Sequence, residues 1–457
     1  MPRPRFRPAI VAVIAAFAAQ AAAGATGATV IAAPASGTVL LAGTGRATID
    51  PPLSQFPIRN NNDSPLIAVH DSLCARALVL KDAGSMAIVV VADVIILPDE
   101  FYEQAVSRIA ERYALPRDHV LISATHTHTV PWTMGNGYGE LVIAGMLAAI
   151  EQAQHRLEAV RVGTGNGLAY INMNRDEPTA NGFILGQDPE GPSDKTVRVV
   201  GFLRADGSPL AIFANYAVHA VSLYSSNTAG EHAAQVSADI PGVVDRFVDE
   251  HYGAQRTETF WTSGAAGDQN PILMSFHAEP QSDGRIVTSD LNSAGFMITQ
   301  RLGQGLALEV IRVTDRLKPQ LVTTEMRATQ AVISCPSKAD PALMHTLRIS
   351  YLGIGPVDLI GISGEVGTLI DRHLRDRLGD RNPVLLTLTN GYAGYLPDDA
   401  SYGRGNTFEV GKSQFAPGCA EGMIIARTLE LLGAAPNLPG AHRRGEARPP
   451  RPILWPC

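Results

Sequence analysis

Cysteine, charge and long apolar runs are all sparse in this chain. The four cysteines among 457 residues, Cys74, Cys335, Cys419 and Cys457, form no Cys-x-x-Cys pair, so a thiolate zinc site has no support. Charged residues make up 18% of the chain, net charge is −7, and no long basic block lies in the part expected to fold. That disfavours a nucleic-acid partner, whose phosphates demand clustered Lys and Arg. After the first 28 residues no segment is long and apolar enough to span a bilayer, so no transmembrane helix is expected in the mature chain. Glycine and proline, by contrast, are plentiful at 43 and 31 residues, which points to the many turns and loops of large α/β enzymes.

The amino-terminal segment reads as a targeting signal. Arg3, Arg5 and Arg7 precede an apolar run from Ala9 to Ala19, and small residues continue through Ala28. This is the layout of a cleavable signal peptide over 1–28, and the alternative, an uncleaved anchor, is short for a membrane. A secreted or periplasmic protein is expected, in which disulfides are permitted. Three full pairings of four cysteines stay open; Cys335 with Cys419 is the one favoured. From Ala434 onward Pro, Arg and Gly dominate, and 434–457 is expected to be a disordered tail. Residues 37–433 show no repeat and no linker, which argues for one large domain.

Within that domain the periodicity alternates between strand and helix. Cys74–Leu80 and Met86–Val91 read as a hairpin, Asp99–Tyr113 as an amphipathic helix, and 119–124 as a buried strand followed by a helix near 139–157. The expected fold is therefore α/β, with mixed β-sheets layered with α-helices in a single large domain. Glycine clusters at Gly43-Thr-Gly45 and Gly163-Thr-Gly-Asn-Gly167 read as turns, and the section from Asn172 to Val197 as loop-rich.

Chemistry concentrates where strands end. Ser123-Ala-Thr-His-Thr-His128 follows one strand, and an extended chain would put the imidazoles of His126 and His128 on the same side about 7 Å apart. They are placed to share a metal, or to divide metal binding and proton transfer. Further strand ends carry His219, Asp268, Glu365 and Tyr395. Two imidazoles, a carboxylate and a phenol would meet the needs of a catalytic zinc that keeps one position open. Arg175 is a candidate for orienting an acidic or polar substrate group, or else a surface ion pair. Tyr392, Asp239 and Asp93 read as supporting or capping residues, Asp268 as a loop-shaping hydrogen bonder, and His232, His251, His277 and His373 as surface histidines.

Four of these segments, in the same order, resemble motifs of the neutral/alkaline non-lysosomal ceramidase family. Thr125-His-Thr-His128 is similar to its Thr-His-Thr-His-Ser-Gly-Pro motif, and Asn215-Tyr-Ala-Val-His219 to its second histidine motif. Gly364-Glu365 and Asn390-Gly-Tyr-Ala-Gly-Tyr395 resemble its Gly-Glu-Phe-Thr and Asn-x-Tyr-x-x-Tyr segments. The resemblance is to the catalytic N-terminal domain, without the family's C-terminal immunoglobulin-like domain. It implies zinc held by His126, His219, Glu365 and Tyr395, with His128 as the acid/base group and metal-activated water attacking an amide, such as an N-acyl lipid. Peripheral contact with membrane lipid would follow from such a substrate. One position departs. The family's Gly-Asp-Val-Ser-Pro-Asn reads here Gly267-Asp-Gln-Asn-Pro-Ile272, so Asn270 stands where the family has a serine assigned to catalysis. An amide is no nucleophile, though its N–H can donate to an oxyanion. Two alternatives accompany this expectation: a non-catalytic binding protein on the same scaffold, and a zinc esterase or phosphatase.

Overall fold

Strands with apolar residues at successive positions must bury both faces. Val89 and Val90, Leu121 and Ile122, and Leu385 and Leu386 are such pairs, and their alternation builds the architecture. The computed structural model describes residues 39–433 apart from 136, 231, 281–284, 323–324, 380 and 406. The expected signal peptide and tail lie outside the described residues.

Three sheets form the body. The first orders its strands Val120–Ala124, Met86–Ala92, Cys74–Lys81, Leu41–Thr48 and Glu158–Ala159. The second runs Glu258–Ser263, Pro209–Tyr216, Thr196–Leu203 and Arg161–Leu168. The third runs Arg327–Pro336, Met344–Ile354, Val357–Ile362 and Val384–Thr387. One face of each contributes to a common core in which Val89 and Leu121, Phe213 and Phe260, and Leu359 and Leu386 pack together. The opposite faces are covered by helices. Asp99–Tyr113 and Tyr138–Gln154 pack on the first sheet, Asp239–His251 and Gly295–Thr314 on the second, and Thr368–Leu378 and Ala420–Leu431 on the third. The mixed α/β fold is thus as expected, and the described residues belong to one compact unit. No helix among them is long and apolar enough to cross a membrane.

Each sheet contains one parallel pair: Met86–Ala92 with Val120–Ala124, Pro209–Tyr216 with Glu258–Ser263, and Val357–Ile362 with Val384–Thr387. Loops leaving the carboxyl ends of parallel strands are where α/β proteins gather functional groups. Bridges Ser123↔Thr389 and Thr127↔Ala220 stitch these three ends together.

Two local expectations are corrected. The glycine clusters are not turns; both lie inside strands, Leu41–Thr48 and Arg161–Leu168. A Cβ on Gly43 would sit 2.1 Å from the Ala153 carbonyl oxygen, and one on Gly165 2.8 Å from Val313 Cγ1. These glycines let a helix lie directly on the sheet. The section after Asn172 is likewise no loop but a hairpin, Asn172–Thr179 with Gly182–Asp188. Cys335 and Cys419 form a disulfide joining the third sheet to its outer helix.

Candidate metal centre

The first sheet delivers two imidazoles. After Ala124 the chain is not extended: His126 takes a left-handed backbone, φ 67°, while its N–H donates to Val94 O at 3.1 Å. The rings of His126 and His128 therefore lie closer than an extended chain would put them, with centroids 4.6 Å apart and Nε2 atoms at 3.3 Å. The second sheet delivers His219, whose backbone N–H donates to Gln269 O at 3.0 Å. Its third partner is Glu365, just beyond Val357–Ile362, held in register beside Tyr395.

Hydrogen bonds set the tautomers. His126 Nδ1 donates to Ile95 O at 2.7 Å, and His219 Nδ1 donates to Ala266 O at 2.7 Å. Each ring therefore turns a bare Nε2 inward. Both face Glu365 Oε2, at 3.3 Å from His126 and 2.9 Å from His219. Three lone-pair-bearing atoms converge with no proton assigned between them, an arrangement that suits a cation. His128 completes a group with His126 and His219 whose ligand atoms all lie within 4.8 Å of one another, and these three histidines can hold a metal ion.

Burial works against charge throughout. It pushes His128 well below the ordinary histidine range, helped by the other two imidazoles. It brings His219 down to about 4, with the Arg175 guanidinium adding to the effect. Tyr395 is pushed up, by burial first and by Glu365 second.

Tyr395 stacks nearly parallel to His219, centroids 6.4 Å apart, with the Arg175 guanidinium 5.4 Å over its ring. Arg175 is no surface ion pair. It is buried, its Nε donates to Glu409 at 2.7 Å, and its Nη1 lies 3.3 Å from both His219 Nε2 and Asn270 Oδ1. With Asn270 Oδ1 turned toward that guanidinium, Nδ2 meets, among the described residues, the weak acceptor Met274 Sδ at 3.8 Å. The structure thus brings together all seven residues singled out as catalytic or metal-binding: His126, His128, Arg175, His219, Asn270, Glu365 and Tyr395.

Other residues take supporting places. Asp268 accepts from Thr368 N at 2.9 Å and Oγ1 at 2.7 Å, and shapes the loop. The Tyr392 hydroxyl donates to Glu365 Oε1 at 2.7 Å, leaving Oε2 to the imidazoles. Asp93 lies elsewhere, paired with buried Arg76. Glu409 went unrecognised in the sequence. It sits 234 residues from Arg175, in a short helix capped by Thr407, with no strand-end context to mark it.

The family model described as neutral/alkaline non-lysosomal ceramidase, N-terminal, matches residues 63–279. A Drosophila melanogaster protein named neutral ceramidase is 25% identical over 305 residues, covering 58% of this chain and 42% of its own length. One of the same name from Drosophila pseudoobscura pseudoobscura is 26% identical over 262 residues, covering 51% and 36%. The chain thus spans less than half the length of these curated relatives. In three dimensions it is similar to the crystal structure of neutral ceramidase from Pseudomonas aeruginosa, with TM-score 0.69 at 17% identity over 86% of this chain and 74% of that one. The sequence match over residues 63–279 and the shared fold both liken this chain to the neutral/alkaline non-lysosomal ceramidase family.

Proposed function

We propose that this protein is a zinc-dependent hydrolase of linear amides, acting on an N-acyl lipid such as ceramide or a related amide. The observation that carries the reading is the convergence of His126 Nε2, His219 Nε2 and a Glu365 oxygen, drawn from three sheets, with their hydrogen-bonding protons turned outward. The names borne by the Drosophila relatives support an amide of this class. His126, His219, Glu365 and Tyr395 would hold the metal. When bound, zinc supplies Lewis acidity toward a carbonyl and acidifies water toward neutral pH. His128, neutral because it is buried among imidazoles, takes the proton of the attacking water and passes it to the leaving amine. Asn270 Nδ2 donates to the oxyanion, and Arg175 fixes the amide that does so. The Cys335–Cys419 disulfide supports export to an oxidising compartment, and the lipid substrate implies peripheral contact with a membrane surface.

Metal analysis of the purified protein, paired with an amide and ester panel, tests this. Zinc should copurify near one per chain, and a chelator should abolish amide turnover. His126→Ala with His219→Ala should lose the metal, whereas His128→Ala should keep it and lose turnover by about 100-fold or more. A wild type without zinc, or a double variant that retains it, overturns the proposal. Metal without turnover on any amide would favour the binding protein instead.

A further inference from the structure

Arg175 brings a permanent positive charge to within 3.3 Å of His219 Nε2, beside imidazoles that suit a cation. A guanidinium so placed is repelled by any cation held there, and it needs a restraint. Three contacts hold Arg175. Its backbone N–H donates to Asp268 O at 3.0 Å, its guanidinium lies 5.4 and 5.1 Å over the rings of Tyr395 and Phe408, and its Nε donates to Glu409 Oε1 at 2.7 Å. The backbone bond leaves the side chain free to turn, and ring faces attract a cation without fixing its direction. The bond to Glu409 is the directional one. Glu409 is itself fixed. Neither its Oε2 nor Asp176 Oδ1 meets a donor among the described residues, yet the two carboxyls are hydrogen-bonded to each other, which takes one shared proton. The pair then carries a single negative charge, matching the single guanidinium. Asp176 N donates to Asn174 Oδ1 at 2.9 Å, and Asn174 Nδ2 donates to Asp268 Oδ2 at 3.1 Å, which ties Glu409 to the loop that carries Asn270.

We infer that Glu409 is a positioning residue: by holding the Arg175 fork it fixes which end of the Asn270 amide faces the substrate. The inference rests on the amidohydrolase reading above. A carboxamide has an accepting end and a donating end of nearly the same shape. With Arg175 Nη1 at 3.3 Å from its Oδ1, Asn270 keeps its oxygen on the guanidinium and its Nδ2–H for the oxyanion. Once Arg175 swings away, the amide is free to turn over and aim its oxygen at a developing negative charge, which repels it. That charge exists only in the transition state, so the effect falls on kcat rather than KM.

Two substitutions separate position from charge. Glu409→Gln keeps the reach: its carbonyl accepts from Arg175 Nε and its amide N–H donates to Asp176. Asp176 then carries the negative charge, with Arg404 Nη2 3.9 Å from its Oδ2. Glu409→Asp keeps the charge on the residue but draws it back by one methylene. In the metal-loaded protein, with hexanoyl p-nitroanilide as substrate, Glu409→Gln should retain kcat within about 3-fold, and Glu409→Asp should lose about 10-fold or more at unchanged KM and metal content. A residue that merely neutralised Arg175 would give the opposite order. In an Asn270→Ala background, itself about 100-fold down, the loss from Glu409→Asp should vanish. In the metal-free protein the Arg175 Nε–H should give a slowly exchanging NMR signal in wild type and Glu409→Gln, and a rapidly exchanging one in Glu409→Asp. A Glu409→Asp protein as active as Glu409→Gln, or a loss that multiplies with that of Asn270→Ala, overturns the inference and leaves the amidohydrolase standing. A wild type that cleaves no amide removes both.

Discussion

Asp176 shows how tightly the site's surroundings are balanced. It follows Arg175 on one strand, so the two side chains leave opposite faces, yet both reach Glu409: Arg175 as a donor at 2.7 Å, Asp176 as a carboxyl hydrogen-bonded to it. Burial, then the proton shared with Glu409, raises Asp176 from 3.8 to about 8. A carboxyl raised in the folded state binds its proton more tightly there than in the unfolded chain. Its contribution to stability is therefore complete below pH 3.8, drains as pH rises, and is gone above about 8. Wild type should lose roughly 2–4 kcal/mol from this group between pH 5 and 8.5. Asp176→Asn keeps a neutral hydrogen bonder at every pH and should flatten that slope. Denaturant midpoints for both proteins at the two pH values check it; a wild type whose midpoint rises with pH, with the variant following, contradicts the assignment. Residue identity alone announced His126, His219 and Glu365, because they close apolar strands. It gave no sign of Glu409, whose meaning depends on a partner that only the fold supplies.

Among the elements, the instructive errors were glycines. In a window of a few residues, Gly163-Thr-Gly-Asn-Gly167 has the composition of a turn. Nothing local distinguishes a glycine needed for backbone freedom from one needed so that another element can come close. Gly43 and Gly165 are of the second kind, and the helices that require them begin about 100 residues away or more. The Asp99–Tyr113 helix, by contrast, was legible in full, because an amphipathic stripe is a local signal. Substitution separates the two roles of glycine. Gly43→Ala drives a methyl into the Ala153 carbonyl and should destabilise by about 1–3 kcal/mol, as overpacking does. Gly305, inside Gly295–Thr314 with open space where its Cβ would be, should as alanine stabilise by about 0.5–1 kcal/mol. Chemical denaturation of both variants reads out the signs; a Gly43→Ala protein as stable as wild type would show that the helix is not seated as described.

For the molecule as a whole, the decisive fact is that one core underlies three sheets and each sheet carries part of one site. No window of sequence contains this. Strand-end histidines could be read, but which strand ends meet was visible only through motifs similar to a family's, since contacts between residues such as His126 and Glu365 span most of the chain. The arrangement has a mechanical consequence. Phe213 lies in the shared core, stacked on Phe260 at 4.9 Å and tilted against Phe202 at 6.1 Å, with first- and third-sheet residues in the same cluster. Truncating such a ring costs about 3–5 kcal/mol through lost burial and the cavity left behind. Because that cavity borders all three sheets, the loss should not stay in the second. In Phe213→Ala, amide hydrogen exchange should accelerate together in Met86–Ala92, Pro209–Tyr216 and Val357–Ile362, and metal affinity should fall although no ligand is touched. Faster exchange confined to Pro209–Tyr216 and its neighbours, with metal binding intact, would mean that the sheets unfold independently. The site would then be three separately supported pieces rather than the product of a single core.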